Sequence, residues 1–456
     1  MKILKILIIL ICLLSFATVA NAKTQENSEQ TRISYMNMTW WKKFNDENLN
    51  SNLTKLYSNN QDLKIASIKS QQSQQIMKQA FANQLPQVYF NGNLQRVFTA
   101  SDEKFGNLVI PDYNQAHYNL PLTMSYEVDI WGENYLKTKS FKKQIEMTKQ
   151  DEHSSYISIS SNFASEYYTL IGLDKLIENQ QKLKDLEEQI VKLEVQKYES
   201  GLCPLAEVLS EKQTLAQMTE RLNSLKERQD VVSNDLFSML GDRYDTKILR
   251  SDYNSITIPS IPSEISTEII EHRPDIKKAE AYIEKTGIDV KVARRDFLPK
   301  FQVYGQVGFN AFDWCRMFAP HTFLSNVGVA PSLDLFTGGL KKARLKYSKL
   351  EYEKALQIYE KSILNSIQEL NDSLMSYRTS ELNHKKSLER YELEQAKLDL
   401  ANQKYSTGAQ SKLENLKYNQ KLLLEEADVI MNNINQEIAV INIYKATGGV
   451  DFTENL

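Results

Sequence analysis

The chain of 456 residues contains the same stretch of sequence twice, once in each half. The segment NNQDLKIAS returns as HRPDIKKAE, and the matched residues lie 213 positions apart, as Pro86 and Pro299 do. A second block, YESGLCPLAEVL, returns as YSTGAQSKLENL with an offset of 207 between Gly201 and Gly408. A period of about 210 residues is far longer than the roughly 20–50 residues of solenoid repeats. The sequence therefore predicts a duplicated module, and the contents of that module decide the function.

The first residues have the pattern of a secretory signal peptide, which we assign to residues 1–22. Lys2 and Lys5 precede an apolar core, and Ala20-Asn21-Ala22 places small residues at a cleavage position. A transmembrane anchor is the alternative, but the core is shorter than the roughly 20 residues that a membrane span needs. Cys12 lies inside the core with no small residue before it, so no lipidated cysteine is expected.

Charge, cysteine content and motifs exclude several classes of protein. The formal net charge is −3, so no surface basic enough to bind nucleic acid is expected. Cys203 and Cys315 lie in different kinds of segment, which argues against a disulfide framework. After the signal there is no apolar run of about 18 residues, so insertion into a membrane has to use β-strands. The histidines lack metal-ligand spacing and no catalytic motif is present, so no enzyme, cofactor or metal site is predicted.

Each half contains two segments in which apolar and polar residues alternate, as in a strand with two different faces. The predicted strands lie at about 87–97, 118–130, 301–310 and 323–336. The segment NLPLTMSYEVDI is the clearest, with Leu120, Leu122 and Met124 on one face. Roughly 9–13 residues match the length of a tilted membrane strand. For the strands alone, a half-buried sheet in a soluble domain is the alternative.

The remainder of each half is nearly free of proline and glycine and has the pattern of long helices. The predicted long helices cover about 133–200 and 340–407, and the return helices about 204–240 and 410–446. Leu356, Tyr359 and Ile363 begin a 3-4 spacing that indicates a coiled-coil seam. At the standard rise each long helix is about 100 Å long. Gly201 and Gly408 follow the long helices as C-cap residues do, and the short connections make each pair of helices antiparallel.

These patterns predict how the chain is organised. The predicted parts are a signal peptide at 1–22, a first repeat at 23–241, a linker at 242–268, a second repeat at 269–449 and a tail at 450–456. Each repeat begins with a further helix, at Leu49–Asn83 and Ile276–Arg295, which ends before a Leu-Pro pair because proline disfavours helical geometry in the preceding residue. The linker is rich in Ser, Ile and Pro, and we expect it to form an equatorial segment around the helices.

Four two-faced strands cannot close a barrel by themselves. An open sheet edge in lipid leaves backbone groups unpaired, at a cost of several kcal/mol for each group. Two copies of the chain would supply roughly 8 strands and a filled interior, whereas three would supply roughly 12 and a lumen. The geometry therefore predicts an α+β membrane protein with four strands per chain, in which a membrane pore is continued by a helical tube of about 100 Å.

The chain resembles the TolC-like outer-membrane efflux proteins, which are trimeric export channels. The resemblance rests on WWKKFND, RPDI, FLPKFQVYGQVG, PSLDLFTGG, YSTGAQSKLENL and YKATGG, in this order across nearly the whole mature chain. Within the family the chain is most similar to the channels that serve resistance-nodulation-division pumps, although it lacks the first mature cysteine that those channels lipidate. The resemblance implies a trimeric 12-stranded outer-membrane β-barrel with four strands per chain, continued by a long antiparallel coiled-coil α-helical barrel. It also implies a passive exit channel of a tripartite efflux or secretion system, located in the outer membrane with a helical tube in the periplasm.

The resemblance also implies partners. These are two further copies in a homotrimer, a periplasmic adaptor (membrane fusion) protein, an inner-membrane pump and outer-membrane lipid, with no nucleic acid and no cofactor. A periplasmic coiled-coil adaptor or structural tether is the alternative function. It would account for the long helices, but it gives no reason for the two-faced strands or for their position between helices.

The family implies two kinds of functional residue. Its helix-hairpin tips dock the adaptor, and the matching positions are Ser200, Gly201, Leu202, Thr407, Gly408 and Ala409. Polar residues just past the second tip constrict the closed pore, and the matching positions are Glu414, its repeat partner Glu207, and Lys417. The family usually has an acid where Lys417 stands. An acidic ring that binds cations, a neutral Glu414–Lys417 pair at i, i+3 and a solvated coiled-coil face therefore all stay open.

Overall fold

The computed structural model describes residues 40–99, 104–105, 108–109, 113–242, 247–262 and 265–450. The predicted signal peptide and almost all of the predicted C-terminal tail lie outside the described residues. The chain divides into two compact units, and each unit draws on both halves of the sequence. The helical unit comprises Met1–Ile68, Gln150–Lys277 and Lys361–Leu456, and the sheet unit comprises Lys69–Lys149 and Lys278–Glu360.

The helices and strands follow a similar order in both halves. The first half contains α1 (Glu47–Asn59), α2 (Gln61–Ala82), β1 (Gln87–Phe90), β2 (Asn93–Thr99), β3 (Lys104–Phe105), β4 (Leu108–Val109), β5 (Tyr113–Val128), α3 (Glu133–Glu199) and α4 (Leu205–Leu240). The second half contains α5 (Pro274–Arg295), β6 (Lys300–Ala311), β7 (Phe323–Ser332), α6 (Leu340–Ser406) and α7 (Lys412–Ala446). Short 3-10 helices lie at Trp40–Phe44, Tyr253–Ser255, Thr267–His272, Trp314–Arg316 and Pro320–Thr322. The described residues thus combine long helices with antiparallel strands, which confirms the predicted α+β class.

The element boundaries repeat with the same two offsets as the sequence. Helices α2 and α5 both have 22 residues, and their first residues, Gln61 and Pro274, are 213 positions apart. Helices α3 and α6 both have 67 residues, and their first residues, Glu133 and Leu340, are 207 positions apart. The module is therefore duplicated in its structure as well as in its sequence.

Some boundaries differ from those expected. β5 begins at Tyr113 rather than at about 118, because Tyr113 still pairs with Thr99 at the end of β2. β7 ends at Ser332 rather than at about 336, because Ser332 pairs with Lys300, the first residue of β6, and no partner strand continues beyond it. In both places the strand ends where backbone pairing with the neighbouring strand ends. The apolar alternation in the sequence does not mark the same residue.

Two further predicted elements are interrupted. The expected first helix is broken at Asn60, whose backbone is extended and whose side chain accepts a hydrogen bond from the Leu63 amide at 3.0 Å. The expected first strand is divided into β1 and β2 at Asn91-Gly92. An Asn side chain that caps a helix favours a new start over continuation, which accounts for the break between α1 and α2.

The main sheet is antiparallel and has the order β1–β5–β6–β7, with β2 pairing the same side of β5 as β1. The first strand position is thus filled by β1 and β2 in turn, so the sheet has the four positions that the sequence predicts. The hairpin of β3 and β4 forms a separate small ladder.

The core of the helical unit is rich in aromatic side chains. Trp40 is 1% exposed and stacks on Tyr444 of α7, with 5.4 Å between the ring centroids. Phe44 packs on Tyr168 of α3 with centroids 5.4 Å apart. Full burial of a large apolar side chain stabilises a fold by about 1.5–3 kcal/mol. The WWKKF segment therefore anchors the described N-terminal residues to both halves of the helical unit.

Candidate functional site

The main sheet of the sheet unit has one apolar and one polar face, and the strand register keeps the faces aligned. Met124 pairs with Val88 on one side and with Gly305 on the other, and Gly305 pairs with Val327. The neighbouring polar row places Thr123 beside Gln306, which pairs with Asn326. A register shift of one residue would exchange the faces, so this alignment depends on the ladder as a whole.

The apolar face is not covered by other described residues. Val327 is 79% exposed, Phe90 65% and Val329 62%. On the polar face, side chains bond across strands instead: the Gln302 amide donates to Ser125 Oγ at 2.7 Å, and Asn326 Nδ2 donates to Gln306 Oε1 at 3.3 Å. An exposed apolar surface of this extent marks a contact with another protein or with lipid.

Both outer strand positions of this sheet are open. Within the described part of the chain, β1 and β2 pair only with β5, and β7 pairs only with β6. An open edge presents a row of backbone donors and acceptors that can template pairing with another strand. The sheet is therefore incomplete in a single chain.

The connection from each long helix to its return helix contains the predicted tip residues. Gly201 and Gly408 have φ of 71° and 75°, in the left-handed region. The Leu202 amide donates to the Lys197 carbonyl at 2.8 Å, and the Ala409 amide donates to the Lys404 carbonyl at 2.9 Å. The Gly201 and Gly408 amides donate to Tyr198 and Tyr405, so both tips have the paired bonds of a Schellman motif.

The tip glycines are also sterically open. No atom lies within 4 Å of the position that a Cβ would occupy at either residue, counting the described residues alone. Leu202 is 74% exposed and Leu205 is 49% exposed next to the first tip. The tips thus present backbone and apolar side chains that no described part of the chain covers.

The two return helices begin differently. α4 follows Pro204, which provides no side-chain cap, whereas α7 is capped by Ser411. Ser411 Oγ accepts from the Glu414 amide at 3.2 Å, and the Ser411 amide donates to the Glu414 carboxylate at 3.2 Å. Glu414, one of the predicted pore residues, therefore has a structural role as the second member of a capping box.

Lys417 is engaged with the other half of the chain. Its ammonium lies 2.8 Å from the Glu211 carboxylate on α4, and the two side chains are 45% and 20% exposed. The described contacts thus join Lys417 to Glu211 rather than to Glu414. Glu207, the third predicted residue, is exposed at the start of α4.

A buried acid lies beside this ion pair. Glu187 of α3 is 1% exposed, and its carboxylate accepts a hydrogen bond from the Gln420 amide of α7. Burial raises the pKa of the Glu187 carboxyl, and the adjacent Glu211 raises it further, while Lys417 opposes them. One carboxylate oxygen of Glu187 has no partner among the described residues. Three helices thus meet around Glu187, Glu211, Lys417 and Gln420, which we name the tip-side polar cluster.

Sequence reasoning missed Glu187, although a signal was present. The residue lies between Leu183 and Ile190 of the coiled-coil seam, at helical spacings of four and three residues. Glu394 occupies the equivalent position of the second half, at an offset of 207. An acid repeated at an inward seam position indicates a buried polar contact rather than a solvated face.

A second buried acid lies in the helical unit away from the tips. Glu437 of α7 is fully buried, and its only described bond is from Asn433 Nδ2 at 3.3 Å. Burial raises the pKa of the Glu437 carboxyl to about 8, and the negative charge of Asp46 adds to the rise. The isolated sequence position, between Gln436 and Ile438, gave no sign of this burial.

One group of side chains has the dimensions of a metal site. Within the described part of the chain, Glu194, Cys203 and Glu207 offer ligand atoms that all lie within 4.8 Å of one another. The Glu194 carboxylate is already 2.9 Å from the Lys197 ammonium. Partial burial and the neighbouring Glu194 raise the pKa of the Cys203 thiol, which favours the protonated form that binds metal poorly.

No described helix is both long enough and apolar enough to cross a membrane.

Comparison with known proteins gives one consistent result. The model of a family described as outer membrane efflux protein matches residues 52–242 and 265–449. The pyoverdine export outer membrane protein OpmQ of Pseudomonas aeruginosa is 24% identical over 415 residues, which cover 90% of this chain and 87% of OpmQ. The toluene efflux pump outer membrane protein TtgC of Pseudomonas putida is 25% identical over 419 residues, covering 90% of this chain and 84% of TtgC.

Solved structures show the same fold. The CmeC outer membrane channel of Campylobacter jejuni superimposes with a TM-score of 0.80 at 22% identity, over 92% of this chain and 90% of CmeC. The outer membrane protein VceC of Vibrio cholerae gives a TM-score of 0.77 at 21% identity, over 90% of this chain and 98% of VceC.

Proposed function

Because the chain belongs to the outer membrane efflux protein family, we propose that it is the exit duct of a tripartite system whose other members are a periplasmic adaptor and an inner-membrane pump. Efflux across the outer membrane is the function of the family, and its members are passive channels rather than enzymes. The chain therefore acts in the outer membrane as a conduit. The adaptor and a pump of the resistance-nodulation-division type are the partners to be tested.

The observation that carries the proposal is the incomplete two-faced sheet. Its apolar face suits lipid, its polar face suits water, and its open edges at β1/β2 and β7 need strands from elsewhere. Three copies joined edge to edge would supply roughly 12 strands and a wet lumen. We therefore propose a homotrimeric barrel whose outer surface contacts outer-membrane lipid and whose periplasmic continuation is built from the long helices.

We propose that adaptor docking takes place at the two helix tips. The positions are Ser200, Gly201, Leu202, Thr407, Gly408 and Ala409. Support comes from the left-handed glycines, which let another backbone approach closely, and from the exposed Leu202 side chain. A hairpin of a partner chain could pack its backbone against these turns without displacing any described side chain.

The constriction of the pore is assigned to Glu207, Glu414 and Lys417. All three lie within two turns of the start of a return helix. The capping box at Glu414 and the ion pair at Lys417 would hold these side chains in place rather than leave them mobile. The constriction would therefore consist of ordered charges of both signs.

The division of the chain into a signal peptide at 1–22, repeats at 23–241 and 269–449, a linker at 242–268 and a tail at 450–456 is part of the same proposal. In the linker, Arg250 forms an ion pair with Asp174 of α3, and Ser251 Oγ donates to Asp46 at 2.8 Å. Both partners belong to the first half, so these contacts fit a segment that packs against that half of the helical unit.

Substrates are proposed only as a class. OpmQ is named for pyoverdine export and TtgC for toluene efflux, so small organic compounds are the proposed cargo. In a conduit without a specific binding site, the pump rather than the channel would select among them.

The proposal is tested by fractionation, crosslinking and conductance. The detergent-extracted protein should come from the outer membrane, crosslink to a trimer, change its gel mobility on heating and form pores in planar bilayers. A periplasmic adaptor or tether, the alternative function, would instead be extracted without detergent, run as a monomer and give no conductance. That result would overturn the assignment.

A further inference from the structure

A basic groove lies in the sheet unit among helices α3, α5 and α6. Its volume is about 650 Å³. Gly287 and Tyr352 contribute to an apolar floor, and a Cβ placed on Gly287 would lie 3.6 Å from the Tyr352 ring. The walls include the side chains of Lys139, Lys291, Arg294 and Lys349, from three different helices.

These cations are not neutralised by neighbours. Within the described residues, none of the four side chains forms a hydrogen bond or an ion pair. The groove also contains the carboxylates of Glu284 and Glu353, and Glu284 is itself 2.6 Å from the ammonium of Lys143. Four cations therefore face one carboxylate that lacks a described partner and one that is already paired.

The opposite side of the same helices has a different charge pattern. There the ammonium of Lys300 lies 3.6 Å from Glu133 and 3.7 Å from Asp296. The ammonium of Lys341 lies 3.0 Å from Asp334. These cations are thus paired on that side, whereas the four cations of the groove have no partner among the described residues.

The side on which the groove lies follows from the strand register. Lys300 is on the polar face of β6 with Gln302, and it contacts Asp296 at the end of α5. Arg294 precedes Asp296 by two residues, which is about 200° around a helix, so it projects from the opposite side. The groove therefore lies on the side of the apolar strand face, beyond the strand ends.

The position along the helices agrees with this placement. Arg294 is six residues before the first residue of β6, and Lys139 is six residues after the first residue of α3. For Lys139 this corresponds to about 9 Å of helical rise from the start of α3, and Arg294 lies one residue before the end of α5. Tyr135 lies one turn before Lys139 on the same helix face and is 59% exposed, as tyrosines at a membrane interface are.

We propose that the groove binds the phosphate headgroup of an anionic phospholipid in the leaflet that faces the helices. The proposal rests on the proposed function, which places the apolar strand face in lipid. The headgroup layer extends roughly 5–8 Å beyond the hydrocarbon, which brings phosphates to the end of the groove at Arg294 and Lys139. A guanidinium binds phosphate oxygens in pairs, and Lys291 and Lys349 supply further charge deeper in the groove.

The test compares lipid binding by native mass spectrometry of the detergent-purified protein. Phosphatidylglycerol is the anionic probe and phosphatidylcholine the zwitterionic one. The wild-type chain should retain phosphatidylglycerol in preference to phosphatidylcholine. Lys291→Gln with Arg294→Gln should weaken that binding about 30-fold, since each of the two basic residues contributes on the order of 1 kcal/mol near a membrane surface. Lys212→Gln with Lys226→Gln changes the charge equally on exposed positions of α4 and should have no effect.

Lys139→Gln with Lys349→Gln is a second variant, to be used if the first does not assemble. Equal retention of the two lipids, or the same retention by wild type and the groove variants, would overturn the proposal. Displacement of phosphatidylglycerol by an equal concentration of inorganic phosphate would also overturn it, because the site would then bind free anions. Pore formation in planar bilayers is measured on the same samples. If the wild-type protein shows no lipid preference but conducts normally, the groove proposal alone fails. If the wild-type protein shows the preference but does not conduct, the channel proposal fails instead.

Discussion

Lys417 and Glu211 lie 2.8 Å apart although 206 residues separate them in sequence. The pair joins the return helix of the second half to the return helix of the first. Glu211 also adjoins the buried Glu187, so the single ammonium of Lys417 offsets the charge of a two-carboxyl site. Lys417 is therefore the cation that balances the two carboxyl groups of the tip-side polar cluster, so its replacement tests the role of the cluster.

Replacement of Glu414 and Lys417 together by alanine tests their place in the pore. If both face the lumen, the double variant should have a higher single-channel conductance and a changed ion selectivity in planar bilayers, because charged side chains in three copies narrow the pore. Lys212→Ala, which removes an exposed lysine beside Glu211, is the matched control. Unchanged conductance and selectivity would assign Glu414 and Lys417 to a solvated helix face and leave the channel assignment intact.

The tip glycines should tolerate asparagine better than bulky residues. Gly408→Leu places a side chain in a left-handed backbone conformation, which costs about 1–2 kcal/mol, and covers the turn that the adaptor would contact. We expect export to be lost while crosslinked trimers remain. Gly408→Asn is the control, since asparagine accepts left-handed geometry. Full export by Gly201→Leu combined with Gly408→Leu would contradict docking at the tips.

Glu437 should make stability depend on pH. In the unfolded chain this carboxyl ionises near its ordinary pKa of 4.5, whereas in the folded chain it holds its proton up to about pH 8. The folded state binds more protons across this window, so the free energy of unfolding falls as pH rises through it and is constant above it. Glu437→Gln should remove this slope and stabilise the chain at pH 8 by on the order of 4 kcal/mol.

Thermal denaturation of wild type and Glu437→Gln between pH 5 and 9 measures the effect. Glu414, which is exposed on the same helix, serves as the control position, and Glu414→Gln should leave the slope unchanged. Parallel curves for wild type and Glu437→Gln would show that another group controls the pH dependence.

Adjacent residues of β7 should differ sharply in their response to charge. Val327 lies on the apolar face and is 79% exposed, whereas Asn326 lies on the polar face and bonds to Gln306. Val327→Lys should destabilise the membrane-inserted protein by about 2–4 kcal/mol, the cost of a lysine on a lipid-facing strand near the bilayer centre. Asn326→Lys should cost far less. Equal losses of heat-resistant trimer would contradict a lipid-facing role for the apolar side.

The sequence was sufficient for those features that depend on local patterns. The two glycines that end α3 and α6 follow from helix length and C-cap chemistry, and the strand faces around Met124 follow from a period of two. The start of β5 at Tyr113 could not be predicted in this way, because residues 113–119 show no apolar alternation. They form a strand because they pair with β2. Strand limits of this kind are determined by backbone pairing with the neighbouring strand.

The sequence was sufficient to locate the charged residues near the tips, but it did not predict the residues that they contact. Glu414 and Lys417 were placed together by their spacing of three residues, yet one closes a capping box and the other reaches α4. Pairing across 206 residues depends on how helices pack, and no local spacing encodes it. The burial of Glu437 also depends on how the helices pack, so the sequence did not predict it.

The two offsets of the duplication have a consequence for symmetry. Between the first residues of β1 and α3, Gln87 and Glu133, the chain advances 46 positions, but between those of β6 and α6, Lys300 and Leu340, it advances 40. The long helices that follow have 67 residues each, so this difference in spacing arises in the strand regions. In a three-copy assembly the helices would approach sixfold equivalence, while the hairpins would alternate between a longer and a shorter form. Any large ligand that recognises the hairpin end would then find three equal sites rather than six.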